Sequence, residues 1–179
     1  VVPASSRFAK ERLMQSQYWV ELQSMKAHVY YIELYQLRSE SIERSINIIL
    51  AIASSSSIAG WVIWQQYAFA WACFIMLSQV VSAVYRYLPF KARIKPLSTA
   101  GIELSVITNE AERDWYEVSA GKLTESEINE KRFNFRKKSS AVMKSAFGGM
   151  VIPEDKKLMR CAEEKMFTYF KSHYPELQR

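Results

Sequence analysis

The residues best suited to chemistry form a run of cations: Lys131, Arg132, Arg136, Lys137 and Lys138, followed by Lys144. Phe133 and Phe135 are interleaved with them. Cationic side chains neutralise phosphates and aromatic rings stack on bases, so this composition suits a nucleotide or oligonucleotide ligand. The same residues also describe a solvated helix with inward phenylalanines, or a face near anionic lipid. A second polar set, Asn47, Ser54, Ser78, Gln79 and Ser82, is embedded in strongly apolar sequence. Polar groups in hydrocarbon need partners or water, so these residues either line a wet pathway or hydrogen-bond between helices.

Other chemistry is excluded by what the sequence lacks. There is no Gly-rich phosphate loop after a strand and no nucleophile elbow. Two cysteines, Cys73 and Cys161, give no disulfide framework, and two histidines, His28 and His173, give no metal-ligand spacing. Carboxylates are scattered over helix surfaces. The expectation is a protein that is not an enzyme and needs no cofactor or metal.

The elements that position these residues are set by one stretch. Ser45 to Tyr85 contains no Asp, Glu, Lys or Arg, although 23% of the chain is charged. Arg44 and Arg86 close its ends, and Gln65-Gln66-Tyr67 separates two apolar segments, Ile46–Trp64 and about Ala68–Tyr87. A helix rises 1.5 Å per residue, so ~20 residues match the ~30 Å hydrocarbon core of a bilayer. Two consecutive soluble core helices without a charged face are unusual. A signal peptide does not fit, because a second apolar segment follows directly. The stretch reads as a transmembrane helical hairpin.

At 100° per residue, Asn47, Ala51, Ser54, Ile58 and Gln65 share a face of the first span. Ala53, Ser56 and Gly60 fall nearly opposite, in a small-xxx-small pattern that lets membrane helices approach. Ala68, Ala72, Ile75, Ser78, Gln79, Ser82 and Arg86 share a face of the second span. Arg86, Lys91, Arg93 and Lys95 follow the hairpin and its turn is uncharged. The positive-inside rule therefore puts both chain ends in the cytoplasm. Trp61, Trp64 and Tyr67 at the turn and Tyr85 and Tyr87 at the other end suit interfacial belts.

The flanking regions read as helices, giving an all-α membrane protein in three regions: 1–44, 45–88 and 89–179. Tyr18, Leu22, Met25, Val29 and Ile32, extended by Leu13 and Met14, define the apolar face of an N-terminal helix that runs into the first span. Pro89 and Pro96 bracket a basic linker, Phe90 to Lys95. A helix follows over 97–119, with Ile102, Val106, Ala111 or Arg113, and Trp115–Tyr116 on its expected apolar face and Gly121 as its stop. Thr124 with Glu127 forms a capping box for the next helix, which carries the cations and ends at Gly148-Gly149. Pro153 is expected to open the last helix, with Glu154 and Asp155 in its first turn, and Pro175 to end it.

The tail Asp114-Trp115-Tyr116-Glu117-Val118, then Gly121-Lys122-Leu123-Thr124-Glu125-Ser126-Glu127-Ile128, behind a helix and a two-span hairpin, resembles the SLATT family. These are two-transmembrane effectors associated with bacterial nucleotidyltransferases, and the Hailong type is the nearest branch. The motif also has a structural meaning, with Trp as packing anchor, Gly as helix stop, and Thr and Glu as cap. The resemblance implies a pore-forming effector of antiphage defence in the bacterial inner membrane. It implies a channel controlled by an oligonucleotide that a partner nucleotidyltransferase makes. Two helices cannot enclose a pore, so the channel reading requires a homo-oligomer, for which a tetramer is expected. The alternatives are a non-conducting anchor that recruits a partner, or a holin-like lesion former.

Overall fold

The computed structural model describes the backbone over residues 4–63, 68–85 and 90–178, and side chains over 10, 12–52, 69–70, 72–85 and 93–176. Five α-helices are present among these residues: α1 (Ala4–Ile63), α2 (Ala68–Tyr85), α3 (Phe90–Ser119), α4 (Glu125–Phe147) and α5 (Lys156–His173). A 3-10 turn, Pro175–Gln178, follows, and the described residues contain no strand. The chain divides into two compact units, Val1–Tyr35 with Pro96–Arg179, and Gln36–Lys95.

No Pro or Gly interrupts the sequence between Ala4 and Ala59, and α1 continues unbroken through all 60 of its residues. The N-terminal helix thus runs into the first apolar segment, as its composition predicts. Four helices supply the core of the first unit. Tyr18, Leu22 and Ala27 of α1 pack with Ile107, Ala111, Trp115 and Val118 of α3, Ile128 and Phe135 of α4, and Met166 and Phe170 of α5. A second cluster joins Ile32 to Leu97, Ala100, Leu104 and Phe147. Aromatic rings hold the centre: Trp19 lies 4.8 Å from both Trp115 and Phe170, and Tyr18 meets Phe135 edge-on at 5.6 Å. Such pairs add about 0.5–1.5 kcal/mol each beyond the area that they bury.

Three local expectations are corrected. The segment between the prolines is not a linker: α3 begins at Phe90 and carries Pro96 inside it. Proline there removes one bond, to the carbonyl of Ala92, near the helix start. Burial of Leu97 and Ala100 directly after it offsets that loss. The phase of α3 also differs. Ile102, Val106 and Tyr116 face outward at 65%, 53% and 71% exposure, while Leu97, Ala100, Leu104, Ile107, Ala111, Trp115 and Val118 are buried. The buried series follows spacings of three and four as well, and its alanines let α1 approach. Finally, α5 starts at Lys156 with Asp155 as its cap, not at Pro153. The Asp155 carboxylate accepts from the N–H groups of Lys157 and Leu158 at 2.9 and 3.2 Å, satisfying two donors that the first turn leaves free.

The other helix ends follow the sequence. Thr124 and Glu127 form the reciprocal capping box at α4. Gly121 adopts φ 66°, with Lys122 N–H donating to the Glu117 carbonyl and Gly121 N–H to that of Val118. This is the paired-bond stop of a left-handed C-terminal glycine. Gly148 ends α4 in the same conformation, its N–H donating to the Lys144 carbonyl at 2.9 Å.

The second unit has a different character. Ile48, Ile49, Ile52, Phe69, Met76 and Leu77 are all more than half exposed. Among the described residues, no helix is long and apolar enough to cross a membrane. Both apolar segments of the sequence extend into positions outside the described side chains.

Candidate functional site

The cations of α4 are set on a helix bounded by the Thr124 cap and the Gly148 stop, and they point two ways. Toward α1, Arg132 donates to Gln17 at 2.6 Å and to Glu21 at 2.5 Å. Arg136 grips both oxygens of the same Glu21 carboxylate and lies 5.6 Å above the Phe133 ring. Toward α3, Lys131 meets Asp114 at 3.0 Å and Glu117 at 3.4 Å, and Lys138 meets Glu110 at 2.7 Å. Lys137 is exposed, with no ion-pair partner among the described residues. Four cations therefore clamp α4 between α1 and α3 through Glu21, Glu110, Asp114 and Glu117. The phenylalanines divide: Phe135 is buried in the core and Phe133 is 58% exposed.

The motif residues behind the family resemblance have structural positions here. Trp115 and Val118 are core, Asp114 and Glu117 hold Lys131, Gly121 stops α3, and Thr124 caps α4.

Within the second unit, Asn47, Gln79 and Ser82 are exposed, and Ser78 is half-buried with its hydroxyl donating to the Ile75 carbonyl at 2.7 Å. The Tyr85 hydroxyl of α2 donates to Glu43 of α1 at 3.3 Å, one turn before Asn47. That bond joins α1 to α2. The side chain of Ser54 lies outside the described residues.

One buried polar assembly was missed in the sequence. Lys26 of α1 and Glu112 of α3 form an ion pair at 3.2 Å, with side chains only 10% and 13% exposed. The other Glu112 oxygen accepts from the hydroxyls of Tyr169 at 2.8 Å and Tyr174 at 3.0 Å. Lys26 Nζ also sits 4.0 Å over the Tyr169 ring. Burial, reinforced by the Glu112 charge, pushes Tyr174 up to about 12 and raises Tyr169 as well. Both phenols stay protonated and keep donating throughout the physiological range. The available signal was Lys26 itself, one turn after Leu22 on the apolar face of α1, where a charge demands a partner. Open clefts border the assembly on two sides. One of about 570 Å³ is lined by Asn109, Arg113, Tyr116 and Tyr174 among others, and one of about 590 Å³ by Tyr30, Cys161, Thr168 and Tyr169.

Among the described residues no group of His, Cys, Asp and Glu could hold a metal ion. No family model, no curated protein and no solved structure matches this chain.

Proposed function

We propose that this protein is an oligomeric ion channel of the bacterial inner membrane, controlled by a nucleotide or oligonucleotide and serving antiphage defence, as its resemblance to SLATT effectors implies. One observation carries the membrane part: 41 consecutive residues without a charge, whose described apolar side chains turn outward on both helices. Exposed apolar surface of that kind marks a membrane or protein contact. In this reading copies of the hairpin ring a pore faced by Asn47, Ser54, Ser78, Gln79 and Ser82, both chain ends are cytoplasmic, and the ring is a tetramer.

The clamp on α4 gives ligand control a concrete form. Phosphates compete with Glu21, Glu110, Asp114 and Glu117 for Lys131, Arg132, Arg136 and Lys138, and Lys137 offers a first point of attraction. Displacing those carboxylates loosens α4 from α1 and α3. A ligand changes the open fraction only through different affinity for the open and closed states.

A second reading, a non-conducting anchor, is favoured by the internal partners of these groups. Four of the cations are already paired, and the Ser78 hydroxyl donates to the Ile75 carbonyl. Ion flux from liposomes decides between the two. The channel predicts flux that one class of short adenine oligonucleotides or cyclic nucleotides changes. It also predicts loss of flux on Asn47→Leu with Ser54→Leu, and loss of ligand response on Arg136→Glu, Lys137→Glu and Lys138→Glu. No flux from inserted protein in any condition favours the anchor.

A further inference from the structure

The misphased face of α3 is the feature that the core leaves unused. Ile102, Val106, Asn109, Arg113 and Tyr116 are all exposed and follow one another at steps of four, three, four and three. That mean spacing of 3.5 keeps a row of residues facing a single partner helix, just as the buried series of α3, with the same mean spacing, faces the core of its own chain. Glu103, Glu110 and Glu117 recur every seven residues along one border of the row, while Ser98 and Ser105 border the other.

We propose that this row is the seam along which copies of the chain associate, α3 against α3. The seam carries both halves of its own complement. Arg113 lies within it and the glutamate row beside it, so an adjacent copy brings a guanidinium to the carboxylates of the first. Lys131 and Lys138 pair with Glu117 and Glu110 from the side of α4, Arg113 of the same helix also favours the Glu110 charge, and Glu103 has no ion pair among the described residues. A foreign helix would need only one of the two signs, and a second copy supplies both. Asn109 occupies a seam position where a polar residue fixes register and copy number at some cost in stability. The cleft of about 570 Å³, lined by Asn109, Arg113, Tyr116 and Tyr174, adjoins the row and gives the partner's Tyr116 ring a place to enter. The inference deepens the channel reading, which requires copies to assemble, but the contact is independent of conduction.

The test uses the full chain reconstituted in liposomes, with Cys73→Ser and Cys161→Ser removing its own thiols. Single substitutions Ile102→Cys, Val106→Cys, Asn109→Cys and Tyr116→Cys are oxidised with copper phenanthroline, with exposed Ser140→Cys on α4 as control. Disulfide-linked pairs at the seam positions and none at Ser140 are expected. An oligomer by light scattering that gives no seam cross-link overturns the seam and leaves the channel reading standing. Seam cross-links in protein without flux support the seam and contradict the channel. In addition, in detergent solution, Ile102→Glu with Val106→Glu, both outside the core, is expected to drop the protein mass by light scattering to a single chain with unchanged helix content. Unchanged protein mass overturns the proposal.

Discussion

The two units use apolar residues in opposite ways. In the first unit a set of large side chains is driven to full burial: Tyr18, Leu22, Ile32, Leu104, Ile128 and Phe170 are all at or below 2% exposure. Between Gln36 and Lys95 many of the described large side chains are outward, with Phe69 at 84% and Met76 at 64%. The first unit therefore closes a core within one chain, with the Ile102, Val106 and Tyr116 row left outside it, and the described apolar side chains of the second form no such core. In the proposed reading lipid and other copies cover them. The same contrast holds for charge. The first unit buries an ion pair and surrounds it with donors, whereas the apolar stretch of the second has no charge to bury.

This contrast predicts unequal costs for equivalent changes. Trp115→Ala removes the α3 ring that packs on Tyr18 and Trp19 of α1 and should cost about 3–5 kcal/mol. Phe69→Ala should leave the unfolding of the first unit within about 0.5 kcal/mol of its starting value. Urea unfolding followed by tryptophan fluorescence in detergent compares them. Equal effects would erase the distinction between a closed core and an outward apolar surface.

Lys26→Met sharpens the charge half of the comparison. It leaves Glu112 buried without its cation, a change that costs about 3 kcal/mol when one partner of a buried pair is lost. The two tyrosine hydroxyls still donate to Glu112, which keeps the loss at the lower end. Combining Lys26→Met with Glu112→Leu should recover much of it, because no orphaned charge remains. A double variant as unstable as the single one would mean that the assembly acts through packing of the Lys26 stem.

The parts of this fold visible in the sequence were those fixed by neighbouring residues. The box Thr124-Glu125-Ser126-Glu127, the stops at Gly121 and Gly148, and the unbroken α1 each depend on a few adjacent residues. The errors were tertiary. On α3, two stripes of apolar residues compete, and Ile102 and Val106 lost to a series containing Leu97, Ala100 and Leu104, with which Ala111 and Trp115 of the expected face are buried. At α5, Pro153 suits a first helical position, but Tyr31 donates to its carbonyl and accepts from Asp155 N–H. That contact leaves the cap to Asp155. The cations of α4 were visible as a composition, yet their partners Glu21, Glu110 and Asp114 are distant in sequence. Only packing decides that they face those carboxylates. The assembly of Lys26, Glu112, Tyr169 and Tyr174 was hidden for the same reason.

The most direct test of the membrane claim uses the two cysteines that the chain already has. Cys73 lies in α2 and Cys161 in α5, and both thiols are free and exposed. Intact liposomes containing the protein are treated with a membrane-impermeant maleimide. The account predicts rapid labelling of Cys161 in outward-facing copies. Cys73 should remain unlabelled until detergent and denaturant remove the bilayer. Labelling of Cys73 as fast as Cys161 in intact liposomes would contradict it, placing the apolar hairpin in water and leaving its outward side chains to a different partner.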